Sequence, residues 1–393
     1  MSRRFPFSEP NRLDLDPLVA HVRAAEPLCR VQLPHGEPAW LLTRYADART
    51  ALGDPRFSRA AALDRDEPRS WHRGPAGGIA DLDPPEHTRL RGLAAKAFTT
   101  RRVEELRPRA RAIADGLVDA MLDRGAPADL VEDFALPLPI TVICELLGVP
   151  YDDRVDFRDW TDAFVSTSGL TPEQAAERMG RMREYMAGLI ARRRETATDD
   201  LLGALVTARD EEDRLSEGEL LSLAVGLLVA GFETTATQIP NSVYVLLTHP
   251  EQLAALRADP GLMPNAVEEL MRYVPLFASV VRARYATEDV ALTGGTVHAG
   301  EPVVVYLAAA TRDESVYPDP DRLDLARREA PNIGFGYGPH HCLGAALARM
   351  ELRVALETLL TRLPGLRFAE SEQDVAWKSG TGVHGPRHLP VRW

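Results

Sequence analysis

The chain has 393 residues, 45% hydrophobic and 26% charged, which is enough apolar side chain to bury a large core. A net charge of -12 argues against a nucleic-acid partner. Three scattered cysteines, Cys29, Cys144 and Cys342, argue against a disulfide scaffold or a Cys-x-x-Cys zinc site.

No Pro/Ser-rich linker divides the chain, so residues 1–393 are expected to form one large domain or tightly fused lobes. No run reaches ~18 uninterrupted apolar residues, and the N-terminus lacks the apolar stretch of a secretion signal. The expectation is a cytoplasmic protein with no membrane anchor.

In chain order, Asp16 and Pro17 open a helix to Ala25. Val31 to Leu42 reads as two strands joined at Pro34-His35-Gly36. Ala60 to Asp83, polar and glycine-bearing, reads as a mobile loop around Trp71. Asp83 is then expected to cap a helix that begins at Pro84 and carries His87 and Arg91 four apart, on one face. By itself that pair reads as an ordinary solvated basic face.

Val103 to Arg124, Leu138 to Leu147 and Trp160 to Ile190 continue the helical period, with a break at Ser166 to Pro172. Glu195 to Arg214 is charged and reads as a solvated connector. Ser216 and Glu219 form a capping box that starts the most apolar run, Leu220 to Phe232. Within this expected buried helix stand Glu233, Thr234 and Thr235. A carboxylate there costs free energy unless satisfied, and a threonine tends to bond back to the carbonyl one turn earlier. Pro240 is a second cause of bending.

Asn265 to Tyr273 is another helix, with Glu269 and Arg272 at i and i+3. Strands are expected at Phe277 to Val281, Val290 to Leu292 and Val303 to Tyr306. Phe335 to Gly344 is a Gly/Pro-rich loop holding Cys342 ahead of a long closing helix. A thiol so placed favours the thiolate, hence a ligand or a nucleophile. Zinc bound by Cys342, His340 and His341 remains an alternative.

Phe335, Gly338, His340, Cys342 and Gly344 fit F-x-x-G-x-[HR]-x-C-x-G, which resembles the haem-binding loop of the cytochromes P-450. Ala230-Gly231-Phe232-Glu233-Thr234-Thr235 resembles the [AG]-G-x-[DE]-T-[TS] motif of that family's central helix, and Glu269/Arg272 its E-x-x-R pair. Residues 83–102 resemble the helix whose His and Arg reach the haem propionates. The four motifs stand in family order over most of the chain.

The resemblance implies a mainly α, helix-rich triangular fold with a small β-sheet region formed by the N-terminal part and residues 277–306. It implies haem b with Cys342 as axial iron ligand, Phe335 and Gly344 against the cofactor, and His87, Arg91, Arg284 and His340 toward its propionates. Glu233 and Thr234 would be the catalytic acid–alcohol pair on the oxygen-binding side, and Glu269/Arg272 a structural pair. By position, Trp71, Leu228, Phe232, Phe277, Val280, Arg282 and Val383 would face the substrate pocket, although Arg282 fits the surface equally well.

The expected activity is O2-dependent hydroxylation or epoxidation of a lipophilic or aromatic secondary metabolite in a natural-product (antibiotic) pathway. The chain has no flavin or iron–sulfur motif, so a separate ferredoxin and ferredoxin reductase are implied as electron donors. Oxidative cyclisation or coupling without oxygen insertion, and a haem-based sensor, are the alternative readings.

Overall fold

The computed structural model describes the chain from Ser2 to Trp393, apart from residues 71–77, 151–152, 154–156, 158–159, 162, 164–165, 197, 199, 211–213, 278, 280–281 and 329–330. The principal helices, in chain order, are α1 (Pro17–Ala25), α2 (Tyr45–Gly53), α3 (Glu86–Ala95), α4 (Thr100–Arg124), α5 (Pro137–Leu147), α6 (Pro172–Glu195), α7 (Leu201–Asp210), α8 (Glu217–Thr248), α9 (Pro250–Ala258), α10 (Met263–Tyr273) and α11 (Ala345–Arg362). The strands are β1 (Arg3–Arg4), β2 (Cys29–Gln32), β3 (Ala39–Leu42), β4 (Phe57–Ser58), β5 (Ala128–Asp129), β6 (Ala283–Ala286), β7 (Val290–Leu292), β8 (Gly295–Val297), β9 (Pro302–Val305), β10 (Arg367–Phe368) and β11 (Pro390–Arg392).

The chain divides into two compact units: residues Met1–Thr88 with Pro264–Cys342, and Arg89–Met263 with Leu343–Trp393. The first is built on a mixed sheet of order β1-β2-β3-β9-β6-β4. The expected hairpin is its centre, with Cys29 opposite Leu41 and Val31 opposite Ala39. These inward residues close on Phe5, Val19 and Val22, as period-2 alternation requires when one sheet face is buried. The strand expected at Phe277 to Val281 falls mostly on residues outside those described; the strand β6 follows it, its four successive buried residues pairing with β9 and β4.

Two expectations for this unit are corrected. The described part of the segment from Ala60 to Asp83 is tied down by buried charge. Arg59 pairs with Glu67 and with Asp81 at 3.0 Å, Arg282 reaches the same Asp81 at 2.5 Å, and Ser70 Oγ donates to Ser279 Oγ at 2.7 Å. Its polar composition reflects internal pairing, which sequence cannot distinguish from solvation. Asp83 does not cap α3 with its side chain. Pro84 and Pro85 have no N–H to offer it, so its carboxylate accepts from Ser58 Oγ, Arg59 N and Ala60 N instead.

The second unit is helical, with α4 against α11, α5 against α8, and α8 against α11. The capping box of Ser216 and Glu219 starts α8, which runs 32 residues. By length and composition α8 passes for a membrane span, yet 67% of its apolar window is buried inside the protein. The expected connector between Glu195 and Arg214 folds as α7. Leu201, Leu202, Leu205 and Val206 give it a buried face, while its charge is drawn off in the Asp210–Arg194 pair at 2.8 Å.

Candidate active site

Of the three cysteines, Cys29 and Cys144 are buried and Cys342 is exposed. The loop before it is set by backbone hydrogen bonds: Gly336 N to Ile333 O at 2.8 Å, His341 N to Gly338 O at 3.0 Å, and Cys342 N to Phe335 O at 2.8 Å. Phe335 is buried and anchors the turn. Gly338 has φ +71°, and a Cβ there would lie 2.8 Å from Gly53 Cα on α2. Gly338→Ala is therefore expected to destabilise the loop by at least ~1 kcal/mol from the left-handed backbone alone. Thermal unfolding measures the loss. A Cβ on Gly344, the residue before α11, would meet only open space.

Beside this loop the first unit gathers two histidines and an arginine. The His87 and His340 ring centroids are 4.2 Å apart. His340 has its pKa pushed down to about 3, first by burial and then by the positive charge of Arg284 and His87. Its Nε2 is buried without a hydrogen-bond partner. Arg284, on β6, is 9% exposed. Its Nη1 donates a long hydrogen bond to Phe57 O at 3.4 Å, and burial lowers its pKa to about 10. A buried guanidinium and an orphaned ring nitrogen are costly unless an acceptor meets them. The donor set fits a group carrying carboxylates. Arg91 stands one turn beyond His87 on α3 and belongs to the second unit.

In the second unit α8 is buried on both sides of a short opening at Ala230 and Thr234. Thr234 Oγ1 donates to Ala230 O at 2.8 Å, the expected back-bond. Glu233 is 2% exposed. Its Oε1 accepts from Lys378 Nζ at 2.6 Å and from Thr237 Oγ1 at 3.1 Å. Sequence reading passed over Lys378; its rarity was the available signal, because only Lys96 and Lys378 occur among 46 basic residues. It also passed over Glu351 on α11, buried with both carboxyl oxygens lacking a hydrogen-bond partner among the described residues, whose carboxyl burial pushes well above the usual range.

Glu269 and Arg272 form a buried pair, each side chain 2% exposed, at 2.7 Å. Arg272 also donates to Thr311 O and Pro320 O. Glu269 accepts from Arg327 at 3.2 Å and from Asp324 N at 3.0 Å. Every strong polar group is matched, which makes this a brace for the loops it ties.

The expected pocket residues separate. Leu228, Phe232 and Val383 are buried to the same degree as core side chains. Phe277 lines a cavity in the first unit with Val274, Leu276, Tyr306 and Ala308. Arg282 pairs with Asp81 at 2.5 Å and is half-buried. Trp71 and Val280 lie outside the described residues. Ser166 bridges Thr381, so the break before α6 and the C-terminal tail do meet.

The model of the Cytochrome P-450 family matches residues 22–260 and 261–368. Mycinamicin IV hydroxylase/epoxidase of Micromonospora griseorubida is 52% identical over 391 residues, 100% of this chain and 98% of the relative. Nocardicin C N-oxygenase of Nocardia uniformis subsp. tsuyamanensis is 50% identical over 100% of this chain and 99% of its own. The crystal structure of cytochrome P450mel 107F1 with biaryl coupling reactivity superposes with a TM-score of 0.96 at 41% identity, covering 100% of both chains. The chain belongs to the cytochrome P-450 family, as a haem-iron monooxygenase of the actinobacterial natural-product type that draws electrons from redox partners to act with O2 on a small molecule.

Proposed function

We propose that Cys342, as thiolate, is the axial ligand of a haem b whose propionates are met by His87, Arg91, Arg284 and His340. The observation that carries this reading is the buried Arg284 with the packed His87 and His340 rings, and the orphaned His340 Nε2, beside the exposed cysteine loop. The open space at Gly344 is consistent with a flat group lying against the start of α11. When bound, a thiolate-ligated haem supplies oxygen activation, with O–O cleavage favoured by the sulfur. The family match runs across both compact units, which supports reading residues 1–393 as one P-450 domain.

The chain's own part is proton supply and substrate positioning. Thr234 Oγ1, held to Ala230 O, keeps a hydroxyl at the opening of α8. Glu233 carries protons to it from water as a general acid. Leu228, Phe232, Phe277, Arg282 and Val383 contribute to the substrate side, with Trp71 and Val280 as further members. Their mainly apolar character suits a lipophilic or aromatic secondary metabolite. Electrons come from a ferredoxin and its reductase, in the cytoplasm. Hydroxylation or epoxidation is the primary reading.

Oxidative coupling is the second reading, supported by the biaryl coupling reactivity of the 41% identical P450mel 107F1. Reconstitution with ferredoxin, reductase and candidate metabolites tests both: the primary reading predicts products heavier by one oxygen atom, the second predicts loss of hydrogen without oxygen gain. Thr234→Ala is expected to keep the parental haem spectrum while most electrons leave as hydrogen peroxide. Equal product per NAD(P)H in variant and parent contradicts the assignment of Thr234.

A further inference from the structure

Lys378 comes from a hairpin of the C-terminal tail, 145 residues from Glu233 in sequence. Lys378 Nζ donates to Glu233 Oε1 at 2.6 Å and to Thr237 Oγ1 at 2.9 Å, and Thr237 Oγ1 donates to the same Oε1 at 3.1 Å. The three groups close a triangle. The Glu233 side chain is 3% exposed and that of Lys378 20%.

The hairpin is fixed to α8 beyond this point. Lys378 N donates to Gly385 O at 2.9 Å, and Arg387 N to Ala376 O at 2.7 Å. Asn241 Nδ2 donates to His384 O at 2.8 Å. The Trp377 ring stacks on His384 and meets Tyr244 edge-on, at centroid distances of 5.3 and 5.1 Å. The lysine is thus delivered to the carboxylate by a built support. The other buried acid against α8, Glu351, faces Thr235, two residues and about 200° round the helix from Glu233.

A carboxylate buried this deeply is stable as an anion only with a partner. Both donors converge on Oε1. We propose that Lys378 is a positioning residue for the reaction: by engaging Oε1 together with Thr237, it fixes the Glu233 carboxylate and leaves Oε2 as the oxygen that carries the relayed proton. Lys378 acts through Glu233. The proposal rests on the reading of Glu233 as the relay, and extends it by tying the direction of that acid to the C-terminal hairpin.

The test compares parent, Lys378→Met, Lys378→Arg, Glu233→Gln and the K378M/E233Q double variant, as haem-loaded full-length proteins. Thermal unfolding reads the pairing without turnover. K378M is expected to lower Tm by several degrees by leaving a buried carboxylate alone, and the double variant to regain at least half of that loss. Product per NAD(P)H is expected to fall several-fold in K378M with the haem spectrum unchanged, and to recover in K378R, which restores a cation at the hairpin. If the Tm losses of K378M and E233Q simply add, the pairing is overturned. Parent-like coupling in K378M beside uncoupled E233Q overturns the positioning role. Parent-like coupling in E233Q instead overturns the relay reading beneath it.

Discussion

Cys342→Ala is expected to remove monooxygenase turnover altogether while leaving the polypeptide folded. The side chain is exposed, and the turn that presents it is held by backbone bonds at Phe335, Gly336 and Gly338, so the loss of one sulfur costs little packing. The chemistry has no substitute. Neutral ligands such as His340 or His341 do not push electron density toward O–O cleavage as a thiolate does, and burial holds His340 neutral. Haem content and optical spectrum check the ligand, and Tm checks the fold. Turnover of C342A at the parental rate contradicts the assignment.

The largest stability effect is expected at Glu269 rather than at its partner. Two buried cations, Arg272 and Arg327, share this single carboxylate, and Asp324 N also donates to it. Glu269→Ala leaves two guanidinium groups without their anion and is expected to cost about 3–5 kcal/mol. Arg272→Met is expected to cost less. It strips donors from Thr311 O and Pro320 O, but Glu269 keeps Arg327 and Asp324 N. Urea unfolding of the two variants ranks them, and a larger loss in R272M contradicts this division of the brace.

Features carried by local pattern were legible in the sequence. The Ser216/Glu219 capping box, the apolar length of α8, the Glu269/Arg272 spacing and the strand pair turning near Pro34-His35-Gly36 each depend on residues near one another in sequence. The Cys342 loop was legible because its glycines mark backbone that other residues rarely adopt, as φ +71° at Gly338 illustrates.

What depends on partners far along the chain was not legible. Asp83 had the composition of a helix cap, but two following prolines left it no donor and it turned to Ser58, Arg59 and Ala60. The Arg59, Glu67, Asp81 and Arg282 cluster and the helix α7 were hidden by charge that sequence reading assigns to solvent. Lys378 was hidden in a tail with no motif of its own.

The reduced carbon-monoxide difference spectrum of the purified protein tests the central assignment most directly. Thiolate ligation by Cys342 predicts the strongly red-shifted Soret band characteristic of a haem bound through sulfur, present in the parent and absent in C342A. A parent spectrum with the unshifted band of nitrogen ligation, or a colourless protein after haem loading, contradicts the account.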